Sequence, residues 1–226
     1  MKIKSENKRI DKKDIIILIP PWRVPQYFFY LIEKKIPDNF GYISYFYPEE
    51  ILNSDPYLTK KYFFNFINRI ISDLKALNNI KPRAFYIYGQ SLGALFGMII
   101  ADRININKLV LIAPGNNLAE CFWSGNKTQH LRRLMEKNHI TLVKLKNLWR
   151  KISPDNYFKN KATKSKYFVQ IAKKDHVIPY QNGIKLIKLF KQKNIIFKLE
   201  KDNISHEFKL ILEAIHPRKA IRFFID

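Results

Sequence analysis

Apolar residues fall along this chain in two alternating patterns. Short continuous runs occupy 15–19, 42–47, 85–88, 109–112, 167–172 and 195–199, and their richness in Ile, Val, Phe and Tyr predicts strands. Between most of them, apolar positions return every three to four residues over 26–35, 57–77, 92–103 and 181–191, with a closing stretch at 207–224, which predicts helices. Strands that alternate with helices need crossover connections, so the order predicts an α/β fold with a mostly parallel sheet of about six strands. Runs such as DIIILIP and KLVLIAP are almost wholly apolar, as suits strands covered on both faces.

One interval breaks the rhythm. The fifty or so residues between the strands at 109–112 and 167–172 exceed an ordinary connection and predict a structured insertion at about 116–163. Helical spacing at 128–138 and 141–151, with Thr128 and Thr141 as N-caps, suggests a two-helix hairpin ending at ISPDNY. Residues 1–13 read as a basic N-terminal extension, and 14–226 as a single domain, since 226 residues suffice for one sizeable core.

Composition changes this picture little. With 46% hydrophobic and 14% aromatic residues the chain should fold despite a net charge of +22. The bases are mostly lysines spread throughout and accompanied by Ile and Asn, the mixture an AT-rich genome produces; no helix-turn-helix, zinc-finger or RNP-like pattern accompanies them, which argues against nucleic acid. They concentrate in 121–166, where twelve stand against Glu136 and Asp155 alone. Arg132, Arg133 and Arg150 depart from the lysine bias and are candidates for meeting an acidic partner; a solvated face is the plainer alternative. The single cysteine, Cys121, allows no intramolecular disulfide and has no base nearby in sequence. The run at 15–19 is shorter than a signal-peptide core and no stretch approaches a transmembrane span, so a soluble, cytoplasmic protein is expected. His130, His139 and Cys121 make no metal-ligand spacing and no phosphate-cradling loop is present, so neither metal nor cofactor is expected.

The chemistry-bearing stretch is YIYGQSLGALFG at 86–97. A strand breaks at Gly-Gln-Ser-Leu-Gly and a helix resumes at once, the context of a nucleophile elbow with Ser91 at its tip. Gly89 and Gly93 could equally punctuate any strand-to-helix turn, since glycine tolerates positive φ and close backbone approach. Asp175 follows a later strand in AKKDHVIP, and His206 follows the last in NISHEF. In this order the set resembles the α/β-hydrolase superfamily, in particular its serine esterases and thioesterases with a lid, over about 14–226. The resemblance implies a compact member without the first two strands of larger ones.

The resemblance implies cleavage of an ester, thioester or amide through an acyl-enzyme, with Ser91 as nucleophile, His206 as general base and Asp175 orienting it. His216 and Asp202 are the rivals for the last two roles, and His176 stands beside Asp175. The backbone N–H of Leu92 would form half of an oxyanion hole. The other half would come from IPPWRVP, where the prolines have no N–H, leaving Trp22 or else Arg23. The insertion stands where relatives carry a lid. Trp123, Leu131, Met135 and Trp149 would line an acyl pocket or pack the lid itself, and its basic face would suit a substrate on an acyl-carrier protein or coenzyme A. A neutral ester, a hydrolase-fold protein that only binds, and a basic module for nucleic acid or an anionic surface are the other readings.

Overall fold

The computed structural model describes residues 3–158 and 165–226. Within them, seven strands form one sheet: β1 (Lys4–Lys8), β2 (Asp14–Ile19), β3 (Phe40–Phe46), β4 (Ala84–Gln90), β5 (Lys108–Ile112), β6 (Lys166–Lys174) and β7 (Phe197–Ser205). Their order is β1-β3-β2-β4-β5-β6-β7, and every neighbouring pair is parallel except β1 with β3. The helices are α1 (Gln26–Glu33), α2 (Pro56–Ile80), α3 (Leu92–Arg103), α4 (Leu118–Ser124), α5 (Gln129–Lys137), α6 (Leu142–Leu148), α7 (Tyr180–Gln192), α8 (His206–Ile215) and α9 (Arg218–Ile225).

Side chains alternate across a pleated strand, so the apolar strands feed two cores. Ile15, Ile17 and Ile19 of β2 point into the larger one, with α2, α3 and α7. Ile16 and Leu18 point into the other, built with α1, α8 and α9. Chain direction across the sheet reverses between β2 and β4: β2 leads outward to β3, β4 onward to β5. In open parallel sheets the crevice at such a reversal, beyond the carboxyl ends of the strands, is where ligands bind.

The differences from expectation have physical reasons. Residues 4–8, expected to lie in an extension, form an antiparallel seventh strand, with Lys4 opposite Phe46 and Lys8 opposite Tyr42. All five of its side chains are exposed, so it carries no apolar signal; it joins through backbone bonds, and its charges guard the sheet's edge. The closing helix is two helices, because Pro217 has no N–H and forces His216 out of helical geometry, at φ −126° and ψ 59°. The last strand begins later than its apolar residues suggest and runs to Ser205, directly before α8.

Among its described residues the insertion holds three α-helices rather than two, since α4 precedes the pair; Lys159, Lys161 and Lys164, counted in its basic excess, lie outside the described residues. Thr141 caps α6 by accepting the Lys144 N–H at 3.3 Å, whereas Thr128 donates its hydroxyl to the carbonyls of Phe122 and Gly125 and caps nothing. The insertion lies on α2, where the Trp149 indole donates to the Pro56 carbonyl at 2.9 Å. Met135, Leu145, Trp149 and Ile152 belong to the larger core.

Helix α3 is buried at every position from Leu92 to Ala101. Its first turn lies so close to the end of β2 that a Cβ on Gly93 would stand 2.1 Å from the Ile19 carbonyl oxygen. Backbone cannot yield there as a flexible side chain would. Gly93→Ala should therefore lower stability by about 2–3 kcal/mol, read as a lower urea midpoint with an unchanged slope.

Candidate active site

Strand β4 ends at Gln90, and Ser91 then adopts φ 52° and ψ −114°, a conformation sterically costly for any residue with a side chain. Two hydrogen bonds hold it: the Ser91 N–H donates to the Ile112 carbonyl at 2.8 Å, and its own carbonyl accepts the Ala94 N–H at 3.0 Å. No described glycine has positive φ, so the glycines of GQSLG serve close approach and the strained residue is the serine itself. A Cβ on Gly89 would meet the Gly93 carbonyl oxygen at 2.6 Å. Leu92 follows as the first residue of α3, where unpaired amides gather and the helix dipole favours negative charge.

Asp175 lies just past β6 and is buried. One carboxylate oxygen, Oδ1, accepts the N–H groups of Val177 at 2.9 Å and Ile178 at 2.8 Å. The other, Oδ2, is 2.6 Å from Nδ1 of His206, the equally buried first residue of α8. With one oxygen fixed by two amides, the carboxylate can turn neither away from the imidazole nor toward solvent. The rivals are occupied elsewhere: Asp202 pairs with Lys209 at 2.6 Å, His216 is exposed at the far end of α8, and His176 is exposed beside its neighbour.

Ser91, Leu92, Trp22 and His206 line a single cavity of about 380 Å³ at the sheet's reversal point, a size typical of small-molecule sites. Its inner wall is apolar: Leu52, Leu92 and Leu95 from the core side, Leu118, Cys121 and Phe122 from α4, Val177 and Ile178 from the loop after β6, and Leu210 from α8. Burial pushes the Cys121 thiol up to about 12, so it is no thiolate at neutral pH. The exposed wall residues are Arg23, Lys127 and Glu207. Both cations are engaged, Lys127 with Glu207 at 3.3 Å and Arg23 with Glu49 at 3.1 Å.

The IPPWRVP turn is tied to the segment after β3 by two hydrogen bonds and carries a cation–π contact of its own. The Tyr47 hydroxyl donates to the Pro20 carbonyl at 2.7 Å, the Trp22 indole donates to the Glu49 carbonyl at 2.7 Å, and the Arg23 guanidinium lies 4.3 Å from the Trp22 ring centre. Arg23 itself has φ 59°, a second strained residue in the same wall.

The residues expected to line an acyl pocket do not. Met135 and Trp149 are wholly buried in the larger core, Trp149 edge-on to Phe122 at 5.1 Å, and Trp123 and Leu131 are half-buried against that core. Because the insertion lies down on α2, only α4, Lys127 and Thr128 reach the cavity from it among the described residues. The arginines expected on the outer, basic face of the insertion do not line the cavity. Arg132 donates to the Trp123 carbonyl at 2.9 Å and pairs with Glu136 at 3.6 Å, Arg150 bonds Asn156 at 3.2 Å, and Arg133 is exposed.

Sequence reasoning missed Leu52, Leu95, Val177, Ile178 and Leu210. Leu210 had a signal, four residues after His206 on one helix face. The Val177 and Ile178 amides had another, since Asp followed by a turn commonly accepts N–H groups two and three residues on. Among the described residues no cluster of His, Cys, Asp or Glu could hold a metal ion.

No protein-family model matches the chain, and no curated protein matches its sequence. Solved structures do match. An acylaminoacyl peptidase of Pyrococcus horikoshii superposes with a TM-score of 0.70 at 12% identity, over 95% of this chain and 36% of the peptidase. Esterase B of Lactobacillus rhamnosis gives 0.68 at 12% identity over 99% of this chain and 85% of the esterase. The capsule O-acetyltransferase of Neisseria meningitidis serogroup A gives 0.67 at 18% identity over 99% and 90%. The chain thus spans about a third of the peptidase's length and most of the other two. Its fold is the α/β-hydrolase fold.

Proposed function

We propose that the protein is a serine hydrolase that cleaves a carboxylic ester or thioester through an acyl-enzyme. The observation that carries this reading is the 2.6 Å contact between buried Asp175 and buried His206, in the same cavity as a serine held at positive φ. In this reading Nδ1–H of His206 donates to Asp175, which leaves Nε2 unprotonated as the base for the Ser91 hydroxyl. The serine oxygen bonds to the substrate's carbonyl carbon as its proton passes to Nε2. The carbonyl oxygen becomes an oxyanion, stabilised by the amide of Leu92 and that of Trp22. Collapse expels the alcohol or thiol, which takes the proton from His206. Water then attacks the acyl-serine by the same route, releasing the carboxylic acid and restoring Ser91.

Peptide cleavage, ester cleavage and O-acetyl transfer, the activities named for the structural neighbours, are all acyl transfers, and this agrees with the reading. The apolar inner wall suits the acyl group. Arg132, Arg133 and Arg150 do not line the cavity, so an acidic carrier would meet them on the outer face of the insertion rather than at the site itself.

A fluorophosphonate probe should add one adduct to the protein and none to Ser91→Ala, whose thermal melt should match the parent while ester turnover falls about ten-thousandfold. An unchanged rate in that variant would sink the nucleophile assignment. Asp175→Asn should keep probe reactivity detectable but lower kcat about a thousandfold or more, with KM little changed, because the imidazole loses the partner that fixes its tautomer. Iodoacetamide at neutral pH should leave Cys121 unmodified in the folded protein; alkylation with loss of turnover would move the chemistry to the thiol.

A further inference from the structure

Helix α8 is turned inside out. His206 must face inward to reach Asp175, and Lys209 and Glu213 share its face of the helix. Both are buried: the Lys209 ammonium sits between Asp202 at 2.6 Å and Glu213 at 3.1 Å. The helix's apolar stripe, Phe208, Ile211, Leu212 and Ile215 at the i, i+3, i+4, i+7 spacing that normally seeks a core, is left 36% to 53% exposed. Helix α1 packs against α8 and adds its own exposed stripe, Tyr27, Tyr30 and Leu31. Two adjoining helices thus present seven large apolar side chains on one surface, more than isolated exposed residues account for.

Both helices adjoin the cavity along the chain. The turn that supplies Pro21 to Val24 to the cavity wall runs directly into α1, and α8 supplies His206, Glu207 and Leu210. Cations fringe it: the ammonium of Lys34 lies 4.5 Å from the Tyr30 ring centre and that of Lys8 5.9 Å, and Lys35 is exposed beside them. The one exposed acid on the two helices, Glu207, is paired with Lys127.

From the apolar stripe, its cationic fringe and its place on the elements that border the cavity, we infer that the α1–α8 face docks on an anionic lipid surface. Charge selects this occupant over a second copy of the chain, since two molecules of net charge +22 repel while an anionic leaflet attracts each. Tyr27 and Tyr30 are residue types that settle at the headgroup level. Among the described residues no helix is long and apolar enough to cross a membrane, so the face lies on the surface. The corollary that the substrate is a lipid-borne ester delivered at the cavity's opening rests on the hydrolase reading; the docking does not.

The test is co-sedimentation of the purified protein with vesicles of phosphatidylcholine alone or with roughly a quarter phosphatidylglycerol, beside the double variant Ile211→Ser, Ile215→Ser. The expected result is that the protein pellets with the anionic vesicles and not the neutral ones, and that the variant, folded by circular dichroism, binds at least about tenfold more weakly. Three results would overturn the inference. The protein could stay in the supernatant with both vesicles; the variant could bind as well as the parent, so that charge alone is responsible; or sedimentation equilibrium could show a dimer that the variant abolishes. Fluorophosphonate labelling of Ser91 in the same preparation separates the two claims. Labelling without vesicle binding defeats docking alone, and vesicle binding without labelling defeats the hydrolase reading alone.

Discussion

Everything at the candidate site depends on how closely α3 starts against the end of β2. The first turn of the helix touches the Ile19 carbonyl through a residue without a Cβ, and this contact brings the tip of β4 to the turn that follows β2. Were the helix displaced by the thickness of one methyl group, Ser91 and Trp22 would no longer share a cavity wall. The strain at Ser91 is tolerable because its N–H and carbonyl are both bonded into the surrounding frame, so the surroundings impose the conformation.

A second constraint acts through α8. The first residue of this helix is tied to a carboxylate beyond β6, and that tie sets the helix's rotation about its axis. Rotation then dictates what every other residue on α8 faces. A lysine and a glutamate end inside as an ionic cluster with Asp202, and the helix's leucines and isoleucines end outside or at the cavity. A free amphipathic helix would settle the other way round, with its apolar stripe to the core.

The parallel strands were legible because burial on both faces leaves an apolar run that no other element of that length produces. The elbow was legible as a pattern; of the two roles open to its glycines, positive φ and close backbone approach, the structure uses the second and leaves positive φ to the serine. That Asp175 and His206, each following one of the last two strands, come together was legible in their order, and the structure places them 2.6 Å apart. Strand β1 could not, since an edge strand held only by backbone bonds needs no apolar side chain. Nor could the cavity wall: Trp149 and Met135 have the composition of a pocket lining, but whether an aromatic residue faces a cavity or fills a core depends on how the insertion lies on α2, a tertiary fact with no local signature. The charge excess of 121–166 was equally mute, because spacing along the chain does not say which arginine already has a partner.

The edge-on contact between Phe122 and Trp149 ties the width of the cavity to the integrity of the molecule. Phe122 is at once a wall of the cavity and one half of the joint that fastens the insertion through Trp149 to α2. Where a cavity is closed by a loose flap, its width can drift by altering the flap alone. Here, a change that widened the cavity at Phe122 would also loosen that joint, so a wider cavity would arise only alongside a compensating gain in packing elsewhere. Breadth of cavity and firmness of fold are, at this residue, a single heritable trait.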